Sequence, residues 1–227
     1  VFYVLKKNAN HFLPHFNKVL LNKNLEEDYV FKEIQDKILF RVQKNVERII
    51  RYAFTEMLNN AIDHSRSKRI WINVTVKKPF LIFSIRDRGI GVFENIQKKF
   101  GLKGHSEALE HLLKGKQTTV PDKHSGEGIF FTSKAVDGFS LQSGQLCLII
   151  NNQIHDFTVK KIKLLKGTLV ECRVHLGSKR DLKDIFDQFS DNNLRFSKTQ
   201  ITVKLYQSDT EFISRSQAKS LLNGLEG

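Results

Sequence analysis

The apolar residues of the chain first follow helical spacing and then strand spacing. Residues 28–43 place apolar side chains three and four positions apart, and residues 45–64 do the same over a longer run. Residues 70–76 alternate apolar and polar side chains, and residues 80–87 form an apolar run that ends in charge. The pattern therefore predicts two amphipathic helices followed by two strands.

The residue composition changes after residue 91. Residues 92–125 are charged and interrupted by glycine, which predicts a mobile excursion with one short helix at 105–113. A helix is predicted from Glu127 to just before Gly138. Further strands are predicted at 139–143, 146–150, 154–160, 168–175 and 199–206, and further helices at 180–189 and 214–222. This order predicts an α+β fold, a two-layer α/β sandwich with helices on one face of a mixed sheet.

Length and composition limit the class of protein. The chain has 227 residues, of which 40% are hydrophobic, and its apolar runs are shorter than the roughly 20 residues that span a bilayer. We expect one principal soluble, cytoplasmic domain with no membrane segment. The chain starts at Val1 without a signal sequence, so we read it as a fragment of a longer protein. Cys147 and Cys172 have no CxxC or Cys/His partner pattern, which favours buried free thiols over a metal site.

The net charge of +13 raises the question of a nucleic-acid partner, because lysine and arginine neutralise phosphates. The basic residues are scattered as short pairs such as Lys77-Lys78 and Lys160-Lys161. This scatter favours a solvated basic surface over a dedicated groove, and nucleic-acid binding stays open as an alternative.

A first set of chemically useful residues lies in the second helix. Glu56 and Asn60 are four residues apart, so they project from one face. A carboxylate there can orient an attacking nucleophile, and an amide oxygen can ligate a hard cation such as Mg²⁺. Taken alone, such a pair is more often an exposed polar stripe.

Two further sets lie at glycine-rich turns. Asp87 ends a strand and is followed by Gly89 and Gly91, so a carboxylate acceptor stands where glycines allow a planar base to approach. Gly126 and Gly128 lie at a predicted helix start, where free N–H groups and the helix dipole favour phosphate. Each turn alone is weak evidence, and the chain has no P-loop motif.

In order along the chain, these segments resemble the N, G1 and G2 boxes of the GHKL ATPase superfamily, and Lys166-Gly167-Thr168 resembles its Gly-Thr turn. The resemblance covers residues 45–176 and implies a Bergerat fold that binds ATP and Mg²⁺. It implies that Glu56 is the general base, that Asn60 ligates Mg²⁺ and that Asp87 accepts from the adenine amine. The implied nucleotide-binding residues are Asn60, Asp63, His64, Asp87, Gly89, Gly91, Gly126, Gly128, Ile129 and Thr168.

Within that superfamily, Asn60 to His64 is most similar to the anti-sigma-factor serine kinases and the histidine kinases. A histidine kinase needs an upstream phosphoaccepting histidine, and the candidates His11 and His15 look like surface or turn residues instead. The Phe130-Phe131 pair departs from the small residues of many relatives and leaves a degenerate domain open. Residues 195–227 resemble the start of a STAS-like domain.

The predicted organisation is a helical lead-in at 1–44 that would end a preceding domain, an ATP-binding domain at 45–190, and a truncated STAS-like start at 195–227. Two functions stay open. One is a bacterial regulatory ATP-binding module with serine-kinase-like or slow ATPase activity, acting on a STAS-type or sigma-factor-like partner and able to form a homodimer. The other is a DNA-binding regulator, with its DNA-binding part in the preceding domain, in which the ATPase domain only senses nucleotide or is degenerate.

Overall fold

The protein folds as an antiparallel five-stranded sheet with helices packed against one face. The computed structural model describes residues 15–40, 42–113 and 128–189. Its strands are β1 His15–Leu21, β2 Arg69–Lys77, β3 Phe80–Asp87, β4 Gly138–Asn151 and β5 Asp156–His175. Its helices are α1 Glu27–Ile34, α2 Lys44–His64, α3 Val92–Phe100, α4 His105–Leu113, α5 Gly128–Ala135 and α6 Leu182–Phe189, and a π-helical turn at Gln35–Leu39 follows α1.

The predicted fold class is confirmed, with one correction to the sheet. The strand order is β1-β2-β3-β5-β4, and every described pairing is antiparallel, where the sequence predicted a mixed sheet. The reason is the position of β5. β3 and β4 are connected by a helical segment and run in the same direction. They are not neighbours, because β5 lies between them and pairs antiparallel with both. A parallel pairing is therefore not formed.

The longest helix, α2, forms the centre of the helical layer. Eight of its apolar residues recur at helical spacing and are buried, and Phe54 packs edge-on against Phe83 of β3 with ring centroids 5.6 Å apart. The ring centroid of Phe31 in α1 lies 5.8 Å from that of Phe54. One continuous core thus joins α1, α2 and the sheet, and burial of these side chains is the main force that holds α2 in place.

The segment from β1 to the π-helical turn extends the same sheet and core. β1 pairs with β2 in register from His15↔Thr75 to Leu21↔Arg69, although the sequence indicated no strand there. Its core side presents Phe16 and Leu20, separated by Lys18, whose amine pairs with Glu33 of α1 at 2.6 Å. A lysine in an inward position hides the alternation that would have predicted a strand.

The excursion predicted at 92–125 is partly helical. The predicted helix at 105–113 is confirmed as α4, and α3 is an additional helix that begins just after Gly91. Phe93, Ala108 and Leu109 are buried and anchor both helices to the core. The rest of that excursion, residues 114–125, lies outside the described residues.

β4 and β5 together form a ribbon that folds back on itself. Ser140 Oγ and Cys147 Sγ are seven residues apart in β4 but only 3.7 Å apart in space. The turn is at Ser143-Gly144, where Gly144 has a φ of 58° and the pairing with β5 shifts register. The sequence prediction of two strands separated by this turn matches the geometry, although the hydrogen bonding continues through the bend.

Several remaining expectations can now be assessed. Cys147 and Cys172 are buried free thiols, as predicted. Within the described ranges, no helix combines the length and apolar character needed to cross a bilayer. The strand at 199–206, the helix at 214–222 and the STAS-like start lie outside the described residues. The domain boundaries at residues 44, 190 and 195 stay predictions.

Candidate functional site

The first part of the site is the carboxylate of Asp87 at the end of β3. Asp87 is 3% exposed, and its Oδ1 accepts a hydrogen bond of 2.8 Å from the Gly89 backbone N–H. Burial raises the pKa of the Asp87 carboxyl, while hydrogen bonds from Gly89 and from the backbone and hydroxyl of Thr168 lower it. The net result is a buried acid that is held in place from two sides.

The glycines around Asp87 permit close packing of the chain. A Cβ on Gly89 would lie 1.7 Å from the carbonyl oxygen of Ser65, and Gly167, with a φ of 82°, would place one 2.4 Å from the carbonyl oxygen of Asp87. Gly91 has a φ of 91°, which residues with side chains rarely adopt. The sequence interpretation assigned Gly89 and Gly91 to contact with a planar base. The structure gives a packing reason for both, and the contact with a base stays a prediction.

Three serines hold this loop, and the sequence interpretation did not identify them. The backbone N–H of Ile90 donates to the carbonyl of Ser65 at 2.9 Å, and the Arg88 N–H donates to Ser67 Oγ at 3.2 Å. Ser143 Oγ donates to the carbonyl of Gly167 at 2.9 Å. The available signal was the position of Ser65 and Ser67 directly after α2, where short polar side chains are suited to bonding nearby backbone.

The second part of the site is the polar face of α2. Glu56 and Asn60 share this face as predicted, and Asn60 Nδ2 donates to the Glu56 carbonyl at 2.9 Å. This bond uses the amide nitrogen and leaves the amide oxygen as the atom suited to a cation. Asp63 is exposed and His64 is half-buried at the end of the helix, and both take part in interactions within the protein.

The start of α5 lies directly against this face. A Cβ on Gly128 would be 2.0 Å from Glu56 Oε2, so the glycine allows the carboxylate and the helix N-terminus to approach. Ile129 follows and packs on the core. Gly126, the other predicted phosphate-binding glycine, lies outside the described residues. The structure therefore brings Glu56 and Gly128 together, and Asn60 lies one turn further along the same helix as Glu56.

The two parts are connected through α2 itself. The middle of α2 carries Glu56 and Asn60, and Ser65, the residue that follows its last turn, bonds the loop after Asp87. The spacing between the two parts is therefore set by the length of one rigid helix. A helix rises about 1.5 Å per residue, so the nine residues from Glu56 to Ser65 correspond to about 14 Å.

The Phe130-Phe131 pair has a packing explanation. Phe131 lies 4.8 Å from Phe186 of α6, and Phe130 lies 5.5 Å from Phe189, both edge-on. Tyr52, one turn before Glu56, is 5.1 Å from Phe186. These bulky residues point between α2, α5 and α6, so the departure from smaller residues serves the attachment of α6.

The C-terminal end of α5 is fixed by two side chains from distant segments. Arg180 donates to the carbonyls of Lys134, Ala135 and Val136 at 2.5 to 3.2 Å. Asn152, at the tip of the ribbon, donates to the carbonyls of Ser133 and Val136. Helix C-terminal carbonyls lack partners within the helix, so these bonds hold α5 and thereby its N-terminal glycine.

The residues present fit a nucleotide with Mg²⁺ in their chemistry. Asp87 and Thr168 offer a buried acceptor and a hydroxyl, and Gly128 begins a helix whose N-terminus attracts anions. Among the described residues, no three His, Cys, Asp or Glu side chains lie together as a metal site.

Comparisons with known proteins agree with this arrangement. Residues 45–173, more than half of the chain, match the family described as histidine kinase-, DNA gyrase B-, and HSP90-like ATPase. The chain is also 37% identical over 84 residues to the signal transduction histidine-protein kinase/phosphatase DegS of Bacillus subtilis. That similarity covers 35% of this chain and 21% of DegS. By its family match, the chain belongs to the histidine kinase-, DNA gyrase B- and HSP90-like ATPases, which implies that it binds ATP.

Proposed function

We propose that the protein is a regulatory module that binds ATP with Mg²⁺ and either phosphorylates a protein serine or slowly hydrolyses ATP. The observation that carries the proposal is the contact between Glu56 and Gly128. It supports the proposal because Glu56 lies at the start of a helix whose N-terminus favours phosphate, and a carboxylate beside a phosphate can act as a general base.

The other residues take roles that follow from their surroundings. Asp87 accepts a hydrogen bond from the exocyclic amine of adenine, and Thr168 holds that carboxylate. Asn60 offers its amide oxygen to Mg²⁺, and Gly126 and Gly128 lie under the phosphates. Asp63, His64, Gly89, Gly91 and Ile129 complete the proposed nucleotide contacts.

The proposed reaction needs little covalent chemistry from the protein. Glu56 accepts a proton from the attacking hydroxyl group or water, whose oxygen forms a bond to the γ-phosphorus. The bond between the γ-phosphorus and the oxygen that bridges it to the β-phosphate breaks, and ADP is released. Mg²⁺ supplies charge neutralisation on the phosphate oxygens. Whether serine or water attacks depends on which nucleophile reaches the face of α2 that carries Glu56.

Phosphorylation of a histidine within this chain receives little support from the described residues. DegS is named as a histidine-protein kinase/phosphatase, so the same chemistry deserves a test. His15, however, lies in β1, an edge strand of the sheet, and not on a helix. His11 lies outside the described residues. We propose instead that the phosphoacceptor is a serine of a protein of the STAS or sigma-factor-like type that the resemblance implies.

Calorimetry and phosphate labelling test the proposal in two stages. The full chain is titrated with ATP in the presence and absence of Mg²⁺, and we expect saturable binding that tightens when Mg²⁺ is added. The chain is then incubated with γ-labelled ATP, with and without candidate partner proteins. Label on partner serine supports the kinase, and release of phosphate alone supports the slow ATPase. Absence of saturable ATP binding would overturn the proposal.

A further inference from the structure

The face of the sheet that is turned away from the helices has an unusual composition. We call it the open face: odd positions 15–21 and 69–77, even positions 80–86, and odd positions 169–175, all of which share one side by strand register. Each of these residues is partly or fully exposed, and Val19 and Leu21 are 52% and 66% exposed. The open face thus runs across β1, β2, β3 and β5 and is accessible in the described structure.

The charge of the open face is strongly one-sided. Its strand positions hold four cationic side chains, Arg69, Lys77, Arg86 and Arg173, and Arg88 leans over it from the end of β3. The one carboxylate at these described positions is Glu171. Because the whole chain carries +13, a second copy would bring like charge to this surface. Charge complementarity therefore favours a polyanion as the occupant.

Two arginines on this face lie over aromatic rings. The Arg88 guanidinium lies 4.9 Å from the ring centre of Trp71, and that of Arg173 lies 4.8 Å from the ring centre of Phe80. A guanidinium in such a cation–π contact keeps its in-plane N–H donors and has a planar surface that can face a ligand. Such planes stack on unpaired nucleic-acid bases, as aromatic rings do.

Two arginine donors on the open face lack an acceptor among the described residues. Nε of Arg86 and Nε of Arg173 are buried atoms without a hydrogen-bond partner. A buried donor without a partner is costly, so each side chain gains free energy if it turns its Nε to an acceptor, and a phosphate or base oxygen is an acceptor of suitable strength. Both side chains belong to the charged set, so the observation points to the same kind of ligand independently of charge counting.

We propose that the open face binds single-stranded nucleic acid, with bases stacking on Arg88, which lies over Trp71, and on Arg173, which lies over Phe80, and with Arg86 bonding to the backbone. Phe80 pairs with Lys77 of β2, and Lys77 is six positions from Trp71 in the same strand. The positions of Trp71 and Phe80 are therefore about 20 Å apart along the sheet. An extended strand of several nucleotides spans that distance. A broad sheet face does not enter the major groove of a duplex, which admits a helix or a two-stranded ribbon.

The single tryptophan of the chain makes the test direct. Trp71 is the only tryptophan, so its fluorescence reports the open face alone. The full chain is titrated with an oligopyrimidine strand of about 16 nucleotides, the upper site size for one such platform. We expect quenching of Trp71, and an affinity that falls with salt at a slope of about −0.7 for each phosphate contact.

Two double variants with equal charge change separate this face from the general basic surface. Arg86→Gln with Arg173→Gln should weaken binding by at least about tenfold and lower the salt slope by about 0.7, for the one phosphate contact that Arg86 makes. Lys32→Gln with Lys44→Gln removes two exposed charges from the helical layer and should change affinity less than about threefold. ATP binding is measured in parallel on both variants, so that loss of folding and failure of the ATP site are recognised separately.

Three results would overturn the proposal. Binding without any change in Trp71 fluorescence would place the nucleic acid elsewhere. Equal weakening in both double variants would reduce the effect to net charge. Polyglutamate that displaces the strand and quenches Trp71 at equal charge concentration would identify an acidic protein as the partner instead.

Discussion

A methyl group on Gly128 would lie 2.0 Å from the carboxylate oxygen Oε2 of Glu56. This contact sets how close the start of α5 comes to α2, and it is possible only because residue 128 has no side chain. The proposed catalytic carboxylate and the proposed phosphate-binding helix are therefore positioned by each other.

The first prediction concerns Gly128→Ala. Alanine favours a helix over glycine by about 1 kcal/mol, so stability should be maintained or increased. The added methyl must displace Glu56 or α5, so ATP turnover should fall roughly 100-fold while the protein stays folded. Thermal melting and phosphate release measure the two effects. Gly104→Ala is the control, because a Cβ there meets no atom within 4 Å, and it should leave both unchanged.

The second prediction concerns Glu56→Gln. A general base acts mainly on the chemical step, so turnover should fall roughly 10²- to 10⁴-fold while ATP affinity stays within a few fold of the parent. Calorimetry and phosphate release on the same preparation separate the two quantities. Glu47→Gln, nine residues or about two and a half turns earlier in α2, is the matched control and should retain turnover. A Glu56→Gln protein that turns ATP over at the parental rate would remove the base assignment.

The third prediction links Asp87 to pH. Because burial raises its pKa, the folded state binds the Asp87 proton more tightly than the unfolded state does. The contribution of Asp87 to the free energy of unfolding should therefore fall as pH rises from the ordinary aspartate pKa of about 3.9 through the raised pKa of the folded state. Asp87→Asn should remove that component of the pH dependence and leave the nucleotide-free protein at least as stable at neutral pH. The free energy of ATP binding should nevertheless become less favourable by about 1–3 kcal/mol. The asparagine amide can turn an N–H donor towards the adenine amine, which is itself a donor.

Thermal melts across acidic and neutral pH, together with calorimetric titration, check both halves of this expectation. Asp63→Asn, an exposed residue at the end of α2, serves as the reference for a surface carboxylate in the melts. If Asp87→Asn bound ATP as tightly as the parent, Asp87 would not be the adenine acceptor.

The fourth prediction concerns Arg180, whose guanidinium holds the end of α5 through three backbone carbonyls. Arg180→Ala should lower the free energy of unfolding by about 2 kcal/mol, because hydrogen bonds from a charged donor are among the stronger ones. Denaturant unfolding measures the change. The neighbouring exposed Lys179→Ala should alter stability by less than about 0.5 kcal/mol, and equal effects would show that Arg180 does not act as a cap.

Sequence patterns predicted the parts of the fold in which one face is apolar without interruption. α2, β2 and β3 have such faces. The sequence analysis also assigned Glu56 and Asn60 to the helix that is α2, and Asp87 to the end of the strand that is β3. β1 was missed because Lys18 occupies an inward position and is neutralised by Glu33, a contact that is visible only after folding. α3 was missed because Gly91 and Gly101, which flank it, are typical of loops as well as of helix ends.

The contacts that shape the site were harder to predict because they join distant segments. Ser65 and Ser143 reach the loops around Asp87 from α2 and β4, and no local pattern relates them. The order of the sheet also required tertiary information, since β5 separates β3 from β4. The sequence could therefore propose candidate chemical groups for the site but not the side chains that support them.

The folded-back ribbon has a consequence for how this protein can vary among its relatives. Ser143 and Thr168 are register partners, and beyond them the two strands stay paired as far as Asn151 and Asp156. Leu148, Ile150 and Phe157 of this segment are buried in the core, and Asn152 at its tip bonds carbonyls at the end of α5. An insertion or deletion between Ser143 and Thr168 should therefore move the tip away from α5, so relatives that keep this contact should also keep the length of the ribbon.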